Sequence, residues 1–482
     1  MYKLHLILKY LRKRRIAWVS LIAVTLCTAL VIVVISVMGG WLRMFKEQFH
    51  GLTGDILVHG ESLVGFPYYQ EMIDRIEKLP DVKAAVPTIQ TFGLININDV
   101  IRRGVEVVGY PMDKIGLVNE FPQSLYRQYQ QLVDDGKAEE AQARAKSPSF
   151  DKPLPAQQYR QILPNARGDV SNWPGIIVGS GLVGISKDKN GNIVRDIGIY
   201  YAWAKLTVVA VDPDRATPDL ATDKGEKNFW VVDDSRTKVW QVDNQSVYVS
   251  FDELQKLLRM EGYTVTENGQ THMEPARTRD IQVGVKPGAD LMVVKQQVMK
   301  IVEDIEREKQ IAAQFPIRVV TWLELQGTFI SAVEHEKALV TFLFGLISIV
   351  AIFLIFCIFY MIVVEKTKDI GIIKSVGATS TGVAGIFLGY GLAIGLVGSF
   401  MGMFVGYLIV TNINTIHEGM VAILHIQIWN PEVYAFDTIP NTLNWSEVAV
   451  IMVVAVLSSV IGALVPAIRA ARLHPVEALR WE

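Results

Sequence analysis

Glu365-Lys366-Thr367-Lys368-Asp369-Ile370-Gly371-Ile372-Ile373-Lys374-Ser375-Val376-Gly377-Ala378-Thr379 lies between two long apolar runs, Ala338–Val364 and Gly382–Val410. Neither run holds a charged residue, and each exceeds the roughly 20 residues that a helix needs to cross a bilayer core. The segment therefore reads as a short charged turn joining two membrane-spanning helices. Two further runs, Ile16–Met38 and Val448–Val465, are also apolar and uncharged. The expected fold is a membrane α-helical protein with four transmembrane helices and a large α+β extracytoplasmic domain between helices 1 and 2.

Composition agrees with a chain that is part membrane and part soluble. Its 482 residues are 50% apolar and 20% charged, with a mean hydropathy of +0.27. That is too apolar for one soluble domain and too charged for a bare helix bundle. A net charge of -2 gives no general attraction to nucleic acid, so no nucleic-acid partner is expected. The first apolar run is too long for a signal-peptide core, and no small-residue cleavage site precedes Trp41-Leu42, so it reads as a retained anchor.

Lys and Arg flanking the spans favour the cytoplasmic side. The first fifteen residues carry Lys3, Lys9, Arg12, Lys13, Arg14 and Arg15 without an acid, the turn carries Lys366, Lys368 and Lys374, and the tail carries Arg469, Arg472 and Arg480. Thr411–Glu447 contains neither Lys nor Arg. Both termini and the turn are expected in the cytoplasm. The resulting order is a basic juxtamembrane helix at 1–15, span 1 at 16–38, an outer domain at 39–337, span 2 at 338–364 and a cytoplasmic helix at 365–381. Span 3 follows at 382–410, an outer loop at 411–447, span 4 at 448–465 and a cytoplasmic tail at 466–482.

In the outer domain, Asp55–His59, Gly104–Gly109, Gly175–Gly179, Leu206–Val211, Ser246–Ser250 and Ile281–Val285 are short, rich in β-branched residues and bounded by turn formers, as strands are. Tyr69–Leu79, Phe251–Met260 and Asp290–Arg307 read as helices. Residues 120–168 form a polar, Gln-rich insertion whose apolar residues are too sparse for a core, and are expected as a helical excursion on the surface or as partly disordered chain.

Little in the sequence suggests catalysis. Cys27 and Cys357 are the only cysteines and both fall in spans, which excludes a disulfide framework and reads as apolar filling. His335-Glu336 and His417-Glu418 begin like a zinc-protease helix, but Leu339 and Val421 stand where the second His is needed, so no metal site is assigned. Gly179-Ser-Gly-Leu-Val-Gly184 matches neither a phosphate loop nor a serine elbow and reads as a turn between a strand and a helix. No Gly-x-x-x-x-Gly-Lys-Ser/Thr occurs, so no ATP hydrolysis by this chain alone and no cofactor bound by it are expected.

Two features invite contact. Read as a helix over Lys368–Val376, the turn sets Asp369, Ile372, Ile373 and Val376 along one side, and Gly377 offers a left-handed cap. Such a helix can sit in a groove of a cytosolic partner or rest on lipid with its lysines at the headgroups. Along span 3, Gly391, Gly395, Gly398, Gly402 and Gly406 share one face, which suits packing within the chain or a dimer seam.

Five stretches in order carry a family resemblance. They are Leu8-Lys-Tyr-Leu-Arg-Lys13, Val34-Ile-Ser-Val-Met-Gly-Gly-Trp41, Glu336-Lys337, Asp369–Ala378 and Pro466–Arg480. Together they resemble the FtsX/MacB/LolCE permeases of ABC transporters. Within that family, the loop with Tyr434–Pro440 and Leu443-Asn-Trp445 resembles the lipoprotein-releasing LolC/LolE branch. The resemblance covers residues 1–60 and 320–482. It implies a multi-pass inner-membrane permease with a periplasmic domain, dimerised with a second permease chain. A separate P-loop ATPase subunit would bind the ATP and Mg and drive the periplasmic domain by mechanotransmission, releasing lipoproteins to a periplasmic carrier. By the same resemblance Lys368, Asp369, Ile370, Ile373, Lys374, Gly377 and Ala378 would form the ATPase coupling helix. An FtsX-like activator of periplasmic partners and a MacB-like efflux permease are the alternatives, although a MacB normally carries its ATPase in the same chain, whereas fifteen residues precede the first span here. The outer domain departs from the lipoprotein-releasing pattern in its length, with 120–168 as the excess.

Overall fold

The computed structural model describes residues 15–164, 169–183, 186–187, 193–194, 202–211, 223–237, 239–267, 270–424, 429 and 438–474. The basic run up to Arg14, the stretch Tyr434–Asp437 and the tail from Pro475 lie outside them. The chain forms two compact units, one from residues 45–328 and one from residues up to 44 together with 329–429 and 438–482. The helices used below are α1 (Arg15–Thr53), α2 (Tyr69–Ile76), α3 (Phe251–Leu257), α4 (Leu291–Lys309), α5 (Gly327–Glu365), α6 (Thr367–Ser375), α7 (Ser380–Thr411), α8 (Ile413–Leu424) and α9 (Trp445–Arg472). The principal strands are β1 (Ile56–Gly60), β2 (Val82–Ile97), β3 (Ile101–Tyr110), β4 (Gly175–Gly179), β5 (Trp203–Val209), β6 (Lys224–Ser235), β7 (Ser246–Ser250), β8 (Asp280–Val285) and β9 (Ile317–Thr321).

The strands lie in the order β9-β1-β8-β2-β3-β7-β4-β6-β5, and β5 also pairs with β2. That last pairing closes β2, β3, β7, β4, β6 and β5 into a six-stranded barrel. The 16-residue strand β2 belongs to both halves, its first part pairing with β8 and its second with β3 and β5. Side chains alternate across a strand, so each barrel strand feeds two cores. Ile89, Val107, Ile176, Val178, Val231, Val247 and Val249 point inward, where Phe251 and Leu254 of α3 join them. Their neighbours Val108, Ile177, Trp230, Val232 and Tyr248 point outward into a second buried cluster. Burial on both faces explains why Gly175–Gly179 is a continuous apolar run.

The other half is the open sheet β9-β1-β8-β2, backed by α2 and α4. Along α4, Val294, Val298, Val302 and Ile305 recur at helical spacing and are buried against Ile56, Val58, Ile281 and Val283. Asp290 caps the helix by accepting from Met292 N at 2.9 Å and Val293 N at 3.4 Å, which satisfies two of its otherwise unpaired first-turn donors.

The stretch 120–164 holds short helices, as expected, over Phe121–Ser124, Gln131–Asp134, Ala138–Lys146 and Ala156–Ile162. The expectation that it is too poor in apolar residues for a core is corrected: Phe121, Leu125 and Tyr159 are fully buried and cover the outward barrel residues Trp230 and Tyr248. The region is tied down by Asp233, whose carboxylate accepts from Arg127 N at 2.8 Å, Gln128 N at 3.3 Å and Gln128 Nε2 at 3.0 Å. The turn after Gly179 is followed among the described residues by a short strand, Ser186–Lys187, and not by a helix. The loop 411–447 contains the helix α8.

Among the described residues, four helices are long and apolar enough to cross a membrane, over Trp18–Thr53, Ile330–Glu365, Ser380–Thr411 and Trp445–Arg472.

Candidate functional site

The helix expected at Lys368–Val376 forms at Thr367–Ser375, one residue earlier at each end. It begins where Thr367 Oγ1 donates to Val363 O at 3.1 Å and Val364 O at 2.8 Å, while Lys366 Nζ donates to the Asp369 carboxylate. It ends at Gly377, whose φ of 108° is a left-handed conformation that residues with a Cβ adopt only at a cost. Thr379 then opens α7, its Oγ1 accepting from Gly382 N at 3.1 Å.

The two sides of α6 face different surroundings. Thr367, Ile370 and Gly371 are buried, and Ile370 packs with Val363 of α5, Val383 of α7 and Ala470 of α9. Lys374 turns the same way: its Nζ donates to Ala471 O at 2.8 Å and to Leu473 O at 2.7 Å. The opposite side presents Lys368, Ser375 and Gly377 with Ile372, which is 53% exposed, and Val376, which is 85% exposed.

Of the seven residues assigned to ATPase coupling, Lys368 and Gly377 are thus on the surface, Asp369, Ile373, Lys374 and Ala378 are half-buried, and Ile370 is interior. Ile370 packs and Lys374 bonds within the chain. Ile372 and Val376 lie outside that set and form its exposed apolar pair. Helical spacing puts them on one side, but it carries no information about which side the neighbouring spans cover.

The glycine face of α7 is occupied within the chain. A Cβ on Gly391 would lie 2.7 Å from Ala463 Cβ, and one on Gly395 would lie 3.0 Å from Ser459 Cβ, both on α9. On Gly398, Gly402 and Gly406 it would meet Val24, Thr28 and Ile32 of α1 at 2.8, 2.7 and 3.1 Å. Gly462 of α9 makes a similar approach to α5, with Ile352 O at 2.9 Å. The helices therefore neighbour one another in the order α1-α7-α9-α5, with glycine at each contact. Of the two readings of this face, the contacts present are those of internal packing.

A cavity of about 510 Å³ opens between α1, α5 and α9. Val24 and Ile35, Phe344, and Val450 and Val454 give it apolar walls, interrupted by Ser348 and by Lys337 and Glu447. Lys337 Nζ and Glu447 Oε1 are paired at 3.0 Å. An apolar hollow with one ion pair suits an amphiphile better than a polar solute. Among the described residues no three His, Cys, Asp or Glu side chains gather as a metal site. His417 Nε2 accepts a backbone hydrogen bond from Trp429 N at 3.2 Å.

Residues 341–475 match the FtsX-like permease C-terminal family. The chain is 24% identical over 492 aligned positions, 98% of each chain, to the lipoprotein-releasing system transmembrane protein LolC of Neisseria meningitidis. It is 27% identical to the LolC of Xylella fastidiosa over 50% of this chain and 52% of that one, so it matches about half the length of that relative. With LolE of Haemophilus influenzae it shares 29% identity over 33% of this chain and 38% of the other. The chain is thus similar to FtsX-like permeases over residues 341–475 and, over nearly its full length, to a protein named LolC.

Proposed function

We propose that this chain is the permease subunit of an inner-membrane ABC transporter that extracts lipoproteins from the outer leaflet. The observation that carries this reading is the similarity along 98% of both chains to a protein named as lipoprotein-releasing. In this reading both termini and α6 are cytoplasmic, residues 39–337 are periplasmic, and a second permease chain completes the membrane unit. A separate P-loop ATPase binds the ATP and Mg and docks on the exposed side of α6.

Helix length supports transmission of force. The helices α1 and α5 have 39 residues each, about 58 Å at 1.5 Å per residue, against a hydrocarbon core of roughly 30 Å. Each therefore continues unbroken well past the membrane. A displacement of α6 would pass directly into α5, which is joined to it at Lys366. The apolar cavity between α1, α5 and α9 would accept acyl chains, with Lys337 and Glu447 meeting the polar end of the lipid.

The test is purification of the tagged chain in mild detergent, with bound proteins identified by mass spectrometry. A stoichiometric P-loop ATPase, a permease partner and acylated lipoproteins are expected. In I372E/V376E the ATPase yield should fall at least tenfold while membrane insertion is unchanged, because two charges are then set into an apolar contact. Absence of any ATPase from the unmodified chain would overturn the reading. An ATPase accompanied by a cell-wall hydrolase or an adaptor would keep the transporter and reject lipoprotein release.

A further inference from the structure

Lys374 lies in the charged turn, where an outward-facing cation would meet a partner, yet its ammonium is spent inside the chain. Its two acceptors, Ala471 O and Leu473 O at 2.8 and 2.7 Å, stand 97 and 99 residues away in sequence. They belong to the end of α9, where helical geometry stops at Arg472 and Leu473 turns extended, with φ of -60° and ψ of 127°. The last carbonyls of a helix have no partner in the helix and carry the negative end of its dipole. A lysine supplies donors for these carbonyls, and its charge adds to that of Arg469 and Arg472 in the last turn.

The surroundings make the contact a junction. Thr367 bonds back to the end of α5, and Thr379 leads into α7 with a capping bond. Chain connectivity therefore already joins α6 to α5 and α7, but not to α9. Ile370, buried with Val363, Val383 and Ala470, packs against the ends of all three. Ile370 supplies a packing contact to α9, which can slide, and Lys374 supplies the directional one.

We propose that Lys374 is a positioning residue that clips the turn helix to the C-terminal end of α9, so that α9 moves with α6 together with α5 and α7. The transmission role rests on the permease reading above; the clip itself does not. Lys374 then contributes nothing directly to holding an ATPase.

The test compares K374M, which keeps the aliphatic stem, with K374R, which keeps the cation, in the full chain purified with whatever co-purifies. Hydrogen exchange followed by mass spectrometry reads the amides of α6 and of Ala467–His474. In K374M exchange at the end of α9 should rise about tenfold, in K374R it should stay within about twofold of the unmodified chain, and bound ATPase should remain at its original ratio in both. Unchanged exchange in K374M would overturn the clip. Loss of the ATPase from K374M with exchange unchanged would make Lys374 a partner contact instead. If the unmodified chain binds no ATPase, the permease reading fails while exchange still decides the clip. Should K374M fail to accumulate, K374Q, a neutral donor, should give an intermediate rise, and a value equal to the unmodified chain would again overturn the proposal.

Discussion

A buried carboxylate, Asp233, is one of the groups that attach the region 121–162 to the barrel. Burial pushes Asp233 up to about 6 from the usual 3.8, against the pull of the Arg127 and Gln128 donors. Because the folded value is the higher one, the stabilisation linked to its protonation is present in full below about pH 3.8 and is lost as pH rises through about 6. The shift amounts to about 3 kcal/mol over that window. Exchange of the amides in Tyr126–Gln130 should therefore slow, after correction for intrinsic rates, as pH falls from 7 to 4.5. D233N, which is neutral at every pH, should show at pH 7 the slower exchange that the unmodified chain reaches at pH 4.5. It should also abolish the pH dependence. A pH dependence that survives in D233N would assign the titration to another group.

Among the elements, α7 is decided by what glycine lets approach. Against α1, Gly402 has Thr28 Cβ and Thr25 O within 2.7 and 2.8 Å of where a Cβ would stand, whereas Gly385 of the same helix has nothing within 4 Å. G402V should destabilise the bundle by about 1–3 kcal/mol through overpacking. G385A should be neutral or stabilising by up to about 1 kcal/mol, because alanine is the better helix former. Thermal unfolding of the detergent-solubilised chain, followed by the loss of its monodisperse elution peak, separates the two. Equal sensitivity at both positions would mean that the contact with α1 does not limit stability.

For the whole molecule, the distribution of lysine and arginine argues orientation. Lys366, Lys368, Lys374, Arg469 and Arg472 gather at the α6 end, while Thr411–Glu447 has none. A fluorescent protein fused after Glu482 should fluoresce, as it does only when folded in the cytoplasm, and a membrane-impermeant protease added to spheroplasts should cut between Gly39 and Lys337. A dark fusion together with a protected 39–337 region would invert the topology. The prediction needs no contact in the structure, because insertion responds to charge beside the spans.

Local signals set what the sequence determines by itself. Four uncharged apolar runs specify four long helices, alternation and β-branching specify strands such as Gly175–Gly179 and Ser246–Ser250, and Gly377 with Thr379 marks where α6 stops and α7 starts. Each of these depends on residues within one or two turns. The tertiary structure decides what touches what. Phe121, Leu125 and Tyr159 are scattered through a polar stretch and form a core only because the barrel's outward face offers Trp230 and Tyr248. The glycines of α7 are legible as a small-residue face, but that α1 and α9 fill it depends on how distant helices pack. Lys374 reads as a surface charge until the end of α9, nearly a hundred residues away, brings two helix-end carbonyls to it. Periodicity fixes the shape of a face, and only the packing of remote segments determines whether that face meets a neighbour, lipid or water.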